Sequence, residues 1–268
     1  MVKKDGSLQA GIAPKPICKY WWLYLLCISF VCAPLRAIGT ETSASASSLS
    51  GITLLSVSPS DYIISPIIGQ TGISSGFQVP YGIAGVATYG LHTAFPVRNF
   101  IAASGIVYLN HPDYRWQDEY LALGVYYKGL KLGATQHLRF EKIANEGWLT
   151  WDNDFAIAVN SKQYATELRY NSCQTRDAAL TMSASTKVNE SATLCSAFTW
   201  RKHEADNYSV ASSYQVARSL KLNCSWQSQP ARFGVGITVL MGKLNLLYAV
   251  RTHTELSLTH NLDLGASW

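Results

Sequence analysis

Residues 254–268 read TELSLTHNLDLGASW. The even positions are Leu256, Leu258, His260, Leu262, Leu264, Ala266 and Trp268; the odd ones are Glu255, Ser257, Thr259, Asn261, Asp263, Gly265 and Ser267. One face is apolar but for a histidine, and the other is polar or glycine throughout. A period of two with such unlike faces marks a β-strand between two different environments. Identifying those environments decides the fold.

Composition narrows the choice. The chain has 268 residues, 15% of them charged and 12% aromatic, against about a quarter charged in an ordinary soluble domain. The formal charge of +5 is concentrated at the start. Lys3, Lys4, Lys15, Lys19 and Arg36 precede residue 40, with only Asp5 opposing them. Taking those five from the 22 basic and that one from the 17 acidic residues leaves 17 against 16. A near-neutral remainder gives a nucleic acid no electrostatic footing, so no nucleic-acid partner is expected.

The apolar run Tyr20–Leu35 follows this basic segment and precedes Ala37-Ile38-Gly39. It is shorter than the roughly 20 residues a membrane-spanning helix needs. A basic flank, a short apolar core and a small-residue exit describe a secretory signal peptide over 1–39, with an uncleaved anchor as the alternative. Three of the six cysteines lie within it. Cys173, Cys195 and Cys224 remain, with no metal-ligand spacing and no even set for disulfides. No cofactor or metal is expected.

Residues 40–50, TETSASASSLS, read as a polar linker without core-forming capacity. From Gly51 onward the chain alternates. In EYLALGVYYKGLKLGATQ, Leu121, Leu123, Val125 and Tyr127 share one face, Lys128-Gly129 turns the chain, and Leu130, Leu132 and Ala134 resume the pattern. The same hairpin logic recurs over 208–227 and 233–250. Further strands are expected near 75–81, 83–95, 98–109, 147–160, 162–171, 177–188 and 191–202. At ~15–18 residues per strand and turn, 51–268 accommodates 12–14 strands.

A soluble sandwich also alternates. Three features favour lipid outside a polar barrel interior. Trp116, Trp148, Trp151, Trp200, Trp226, Tyr248 and Trp268 fall near strand ends, as interfacial girdles do. The non-apolar faces carry Gly, Ala, Ser and Thr more than charge. The last strand ends on an aromatic residue, the signal that Gram-negative insertion machinery reads. The expected class is therefore all-β: an antiparallel transmembrane β-barrel over 51–268, with 51–76 as a small plug or an N-terminal strand region, in the outer membrane. Closure removes the sheet edges that hydrocarbon would not tolerate.

The closing segment YAVRTHTELSLTHNLDLGASW resembles that of the FadL-like outer-membrane superfamily, in the branch containing the PorV and PorQ proteins. Tyr248, His253, Leu256, Thr259 and His260 sit where that pattern puts them, and EYLALGVYYKGLKLGATQ is similar to its middle hairpins. The Asn-Pro-Ala motif of long-chain fatty-acid transporters is absent. The resemblance implies a barrel that passes small or apolar solutes or serves as an accessory of a secretion system. Outer-membrane lipid, the insertion machinery, and an apolar small molecule or secretion components would be its partners.

The candidate site residues follow from the polar faces. Glu167, Arg169, Arg201, Arg251, His253 and Glu255 are candidates for the lumen, as a selectivity ladder or as pairs filling a closed interior. Leu262, Leu264 and Trp268 form the C-terminal assembly signal. His260 is read as an interfacial or seam-packed ring. HPDYRWQDE (111–119) reads as a solvated loop and WDNDF (151–155) as a turn. Serines and His137 are present, but no motif joins them into a hydrolytic set, so the protein is not expected to be an enzyme. Two other classes stay open: a non-pore structural or adhesion β-protein, and an outer-membrane hydrolase.

Overall fold

The computed structural model describes residues 43–268, apart from 69, 84, 145, 173–177, 203 and 255. The signal-peptide reading of 1–39 lies outside the described residues.

Alternation produces strands almost without interruption. They are β1 (Gly72–Val79), β2 (Thr88–Val97), β3 (Phe100–His111), β4 (Tyr114–Tyr127), β5 (Leu130–Ile143), β6 (Glu146–Asn160) and β7 (Tyr164–Asn171), followed by β8 (Ala179–Lys187), β9 (Ala192–Arg201), β10 (Asn207–Ala217), β11 (Leu220–Gln227), β12 (Arg232–Met241), β13 (Leu244–Arg251) and β14 (Thr259–Ser267). Each pairs antiparallel with its sequence neighbours, and β14 returns to β1 to close a barrel of 14 strands. The closing register runs from Gly72 opposite Ser267 to Val79 opposite His260. All-β, antiparallel and closed, this is the expected class, at the upper end of the expected strand count. A single closed sheet also excludes the two-sheet sandwich.

The environments on the two faces are the reverse of a soluble protein's. On β14, Asn261 and Asp263 are 1% and 0% exposed, whereas Leu262 and Leu264 are 41% and 52% exposed. The same holds around the wall: Leu121, Leu123, Phe155, Val210, Phe233 and Val235 point outward into the surroundings. Polar side chains line the interior. An apolar belt of this extent is stable against hydrocarbon, not water.

The two ends differ. One carries only short turns, such as Lys128-Gly129, where both residues have positive φ as a two-residue hairpin turn of this twist demands. The other carries the longer connections 80–87, 172–178 and 252–258. Short turns at one end and long loops at the other match the asymmetry of outer-membrane barrels.

Several local expectations need correcting. Strand β14 starts at Thr259, so Leu256 and Leu258 belong to the preceding loop. HPDYRWQDE is no solvated loop: only 112–113 turn, and Trp116 and Asp118 are buried on the inner face of β4. WDNDF is mid-strand in β6, with Asp152 and Asp154 inward. Trp116 is 2% exposed and packs inside with Tyr62, Val107 and Leu109, so it is not a girdle residue. Charge on a short segment suggested solvent; its inward parity and a filled lumen overrode that. Trp151, Trp200, Trp226, Tyr248 and Trp268 do face outward.

The linker reading fails from Ser43 on. Ala44–Ser48 forms a short helix, α1, buried along its whole length inside the barrel. Low hydrophobicity predicts disorder in water, but this segment packs against a polar wall, where small hydroxylated residues fit.

The β1–β14 seam continues past the last ladder pair. Thr71 Oγ1 donates to the Trp268 carbonyl at 2.7 Å, and the indole stacks on Phe95 with ring centroids 5.2 Å apart. Trp268→Ala removes this outward anchor at the closing seam. It is expected to lower the yield of folded barrel severalfold, scored as the species that shifts on a gel when boiled, while Trp268→Phe keeps most of it.

Candidate functional site: the plugged lumen

Residues 43–68 lie in the lumen as a plug. A helix as short as α1 is unstable alone. It forms because Ser43 caps it, its Oγ accepting from the Ala46 amide at 3.2 Å, and because the wall meets it. Asp263 of β14 accepts from the Ala44 amide at 3.1 Å and from Ser60 Oγ at 2.8 Å. Ser50 bonds Ser225 of β11 at 2.8 Å. Lys221 Nζ donates to the Leu55 carbonyl at 3.2 Å, and Lys131 Nζ to the Ile67 carbonyl at 3.4 Å. The plug itself turns around Asp61, which accepts from Ser43 and Ser56.

Apolar contacts fill the gaps. Leu49, Ile52 and Leu55 pack on Cys195 and Ala211 of the wall, and Tyr62 and Ile63 pack on Ala94, Ala103 and Trp116. The wall is cut to receive the chain. A Cβ placed on Gly234 would stand 2.5 Å from the Ser47 carbonyl oxygen, and one on Gly124 would stand 2.7 Å from that of Pro66. Both obstacles are backbone, so the plug and these two wall positions fit only with glycine.

The predicted lumen residues separate into three groups. Glu167 and Arg169 are buried on the inner face of β7, and both hold the plug. Glu167 accepts from Thr53 Oγ1 at 2.6 Å and Ser65 Oγ at 2.8 Å, while Arg169 donates to Thr53 Oγ1 at 3.2 Å. Arg251 also faces inward and is buried. Arg201 and His253 do not join them. Arg201 sits at the rim, paired with Glu204 at 2.7 Å, and His253 lies in the 252–258 loop against the Tyr81 ring. Arg201 keeps the inward register of β9, opposite Ala179, but its place at the strand's end takes it to the rim, and His253 lies beyond the end of β13. Glu255 lies outside the described residues. Of the assembly residues, Leu262, Leu264 and Trp268 all point outward. His260 faces outward too, its Nδ1 2.8 Å from the Tyr248 hydroxyl on the next strand.

A second inner cluster escaped the sequence reading. On β4–β7, His137 Nδ1 lies 2.9 Å from Asp118 and its Nε2 3.3 Å from Asp154. Arg139 Nε reaches Asp118 at 2.7 Å, a second nitrogen reaches Asp152, and Asn171 donates to Asp154 at 2.6 Å. Cross-strand register makes the cluster, setting Asp118 opposite Arg139 and His137 opposite Asp152. Inward parity applied to every strand would have found it. Its charges are mutually paired, which buried charges require. The rings of His92, His137 and His260 are bonded to Tyr120, Asp118 and Tyr248, so none of the three is held against a serine hydroxyl as a hydrolase needs.

Little space remains. A cavity beside Thr53, Ser65, Lys131 and Glu167 holds about 40 Å³, enough for a water but far below the ~300 Å³ at which ligand sites begin. A larger depression of about 520 Å³ opens on the outer wall between Leu168, Met182, Phe198 and Tyr208, where the small Thr166, Ala184 and Ser196 meet across β7–β9.

With the geometry in place, comparison with known proteins tests the fold. No family model and no curated protein matches the sequence. Among solved structures, the toluene transporter TodX of Pseudomonas putida superposes with a TM-score of 0.65 at 9% identity, over 87% of this chain and 98% of that one. The likeness is one of fold: both chains form a closed, antiparallel transmembrane β-barrel. A mutant porin of Rh. blastica overlaps less well, with a TM-score of 0.46 at 7% identity over 75% of this chain and 99% of that one.

Two tests follow from the plug. Gly234→Val forces a side chain into the Ser47 carbonyl, a clash of the kind that costs ~1–3 kcal/mol. It is expected to raise hydrogen exchange in 43–56 by tenfold or more without unfolding the wall, as read by mass spectrometry. The second concerns Asp61. Burial pushes its carboxyl above the usual carboxylate range, against the hydroxyls of Ser43, Ser56 and Ser45 and the Ala46 amide, which pull it down. Asp263 and Lys221 are the charged groups within reach. Seating therefore favours the protonated acid. That advantage is full below the ordinary carboxylate pKa and is lost as pH rises through the raised value. Plug protection, corrected for intrinsic exchange, is expected to weaken across that window in the wild type and to weaken less in Asp61→Asn.

Proposed function

We propose that this protein is a gated outer-membrane barrel that passes small apolar solutes, with the plug at 43–68 as its gate. The observation that carries the reading is how the plug is held. Hydrogen bonds to Asp263, Glu167, Arg169, Lys131 and Lys221, with small apolar contacts, bind it to the wall. Such bonds to charged groups contribute about 1.5–3 kcal/mol each net, and water entering with a solute can replace each of them as the plug is displaced. The likeness to a toluene transporter supports an apolar cargo.

In this reading residues 1–39 are cleaved as a signal peptide on export. The insertion machinery recognises the closing strand through Leu262, Leu264 and Trp268, and the chain belongs with the PorV- and PorQ-like barrels. The filled lumen favours a second reading, in which the barrel does not conduct and acts as an accessory of a secretion system or as a structural surface protein.

A reversible lock separates the two. Ser50 and Ser225 touch across the plug–wall contact, so Ser50→Cys with Ser225→Cys, the other cysteines replaced by serine, ties the plug to β11. Cells carrying the oxidised lock are expected to lose uptake of radiolabelled toluene and to regain it on reduction. Uptake unchanged by the lock, or no barrel-dependent uptake at all, would overturn the transport reading in favour of the second.

A further inference from the structure

The short-turn end of the barrel is uniformly basic. Six turns make up that end, and each has one cation in it or at its edge: Arg98, Lys128, Lys162, Lys187, Arg218 and Lys243. All six are exposed, and Glu190 is the only acid among the turn residues. The described loops of the opposite end mix the signs, with Asp113, Lys202, Glu204 and Asp206. Since residues 40–268 are nearly neutral as a whole, the ring is a matter of placement rather than of composition.

Outward aromatics lie next to it. Phe100 opens β3, Tyr127 closes β4, Tyr164 opens β7 and Trp268 follows β14, exposed by 48%, 62%, 58% and 51%. Aromatic rings mark the depth at which hydrocarbon gives way to headgroups, and lysine or arginine just beyond them reaches the phosphates.

We propose that this ring binds the headgroups of anionic phospholipid in the leaflet at the short-turn end, so that the barrel gathers an acidic lipid annulus there. The circular placement selects this occupant. A docked protein would need cations on one side, and a solute would need an open lumen, whereas lipid meets every turn. Each cation at a membrane surface is worth ~1 kcal/mol, or roughly a fivefold enrichment of an acidic lipid over a zwitterionic one, and salt screens it.

The proposal rests on membrane insertion, which the gel shift on boiling reports separately. The folded barrel is placed in vesicles containing brominated phosphatidylglycerol or brominated phosphatidylcholine, and tryptophan quenching is compared. Subtracting the signal of Trp268→Phe isolates the indole at the short-turn end, because Trp151, Trp200 and Trp226 lie toward the other. The expected result is severalfold stronger apparent binding of phosphatidylglycerol near Trp268 at low salt. High salt and replacement of all six cations by glutamine should each abolish that preference. Should the six-site variant not fold, two three-site variants, each altering alternate turns, are expected to lose part of it. Equal quenching by the two lipids, or a preference that survives both salt and substitution in an inserted barrel, would overturn the proposal.

Discussion

Closure of β14 on β1 is the constraint from which the rest follows. In hydrocarbon an unpaired backbone amide or carbonyl costs several kcal/mol, so a sheet there must have no edge. The register from Gly72–Ser267 to Val79–His260 supplies the last ladder. Once the sheet closes, each residue of each strand is committed to one of two solvents. Leucine and valine go to lipid, and aspartate, asparagine and serine go to the lumen.

The lumen then poses its own problem. Inward charges and amides held away from water must find partners. Two solutions coexist. On β4–β6 the wall satisfies itself, with Asp118, His137, Arg139, Asp152 and Asp154 paired across neighbouring strands. On β7, β11 and β14 the plug supplies partners, its serines, threonine and backbone meeting Glu167, Ser225 and Asp263. The plug is thus both a stopper and a counterpart to half of the inner wall. This explains why a segment without apolar bulk is ordered.

The charge pattern extends the argument beyond the wall. Placing a cation at every turn of one end while the chain stays nearly neutral polarises the molecule along the barrel axis. In the proposed reading the barrel has two working surfaces, an inner one for passage and an outer one for the bilayer.

Alternation determined the strands and their two faces; a period of two also fits a sandwich, so the barrel class needed the aromatic residues near strand ends and the small polar faces as well. It also placed Glu167, Arg169 and Arg251 inside. Parity gives direction but not depth: Arg201 keeps the inward register of β9 yet reaches the rim, and His253 lies beyond β13 in a loop. The linker reading of 40–50 failed for another reason. Local composition measures how a segment behaves in water, and residues 43–50 never meet water once the barrel surrounds them. The acid–histidine–arginine cluster, the fit of Gly234 and Gly124 to the plug, and the ring of turn cations likewise join residues tens of positions apart in sequence. Only closure of the sheet sets the distances between them, so only the tertiary structure decided these features.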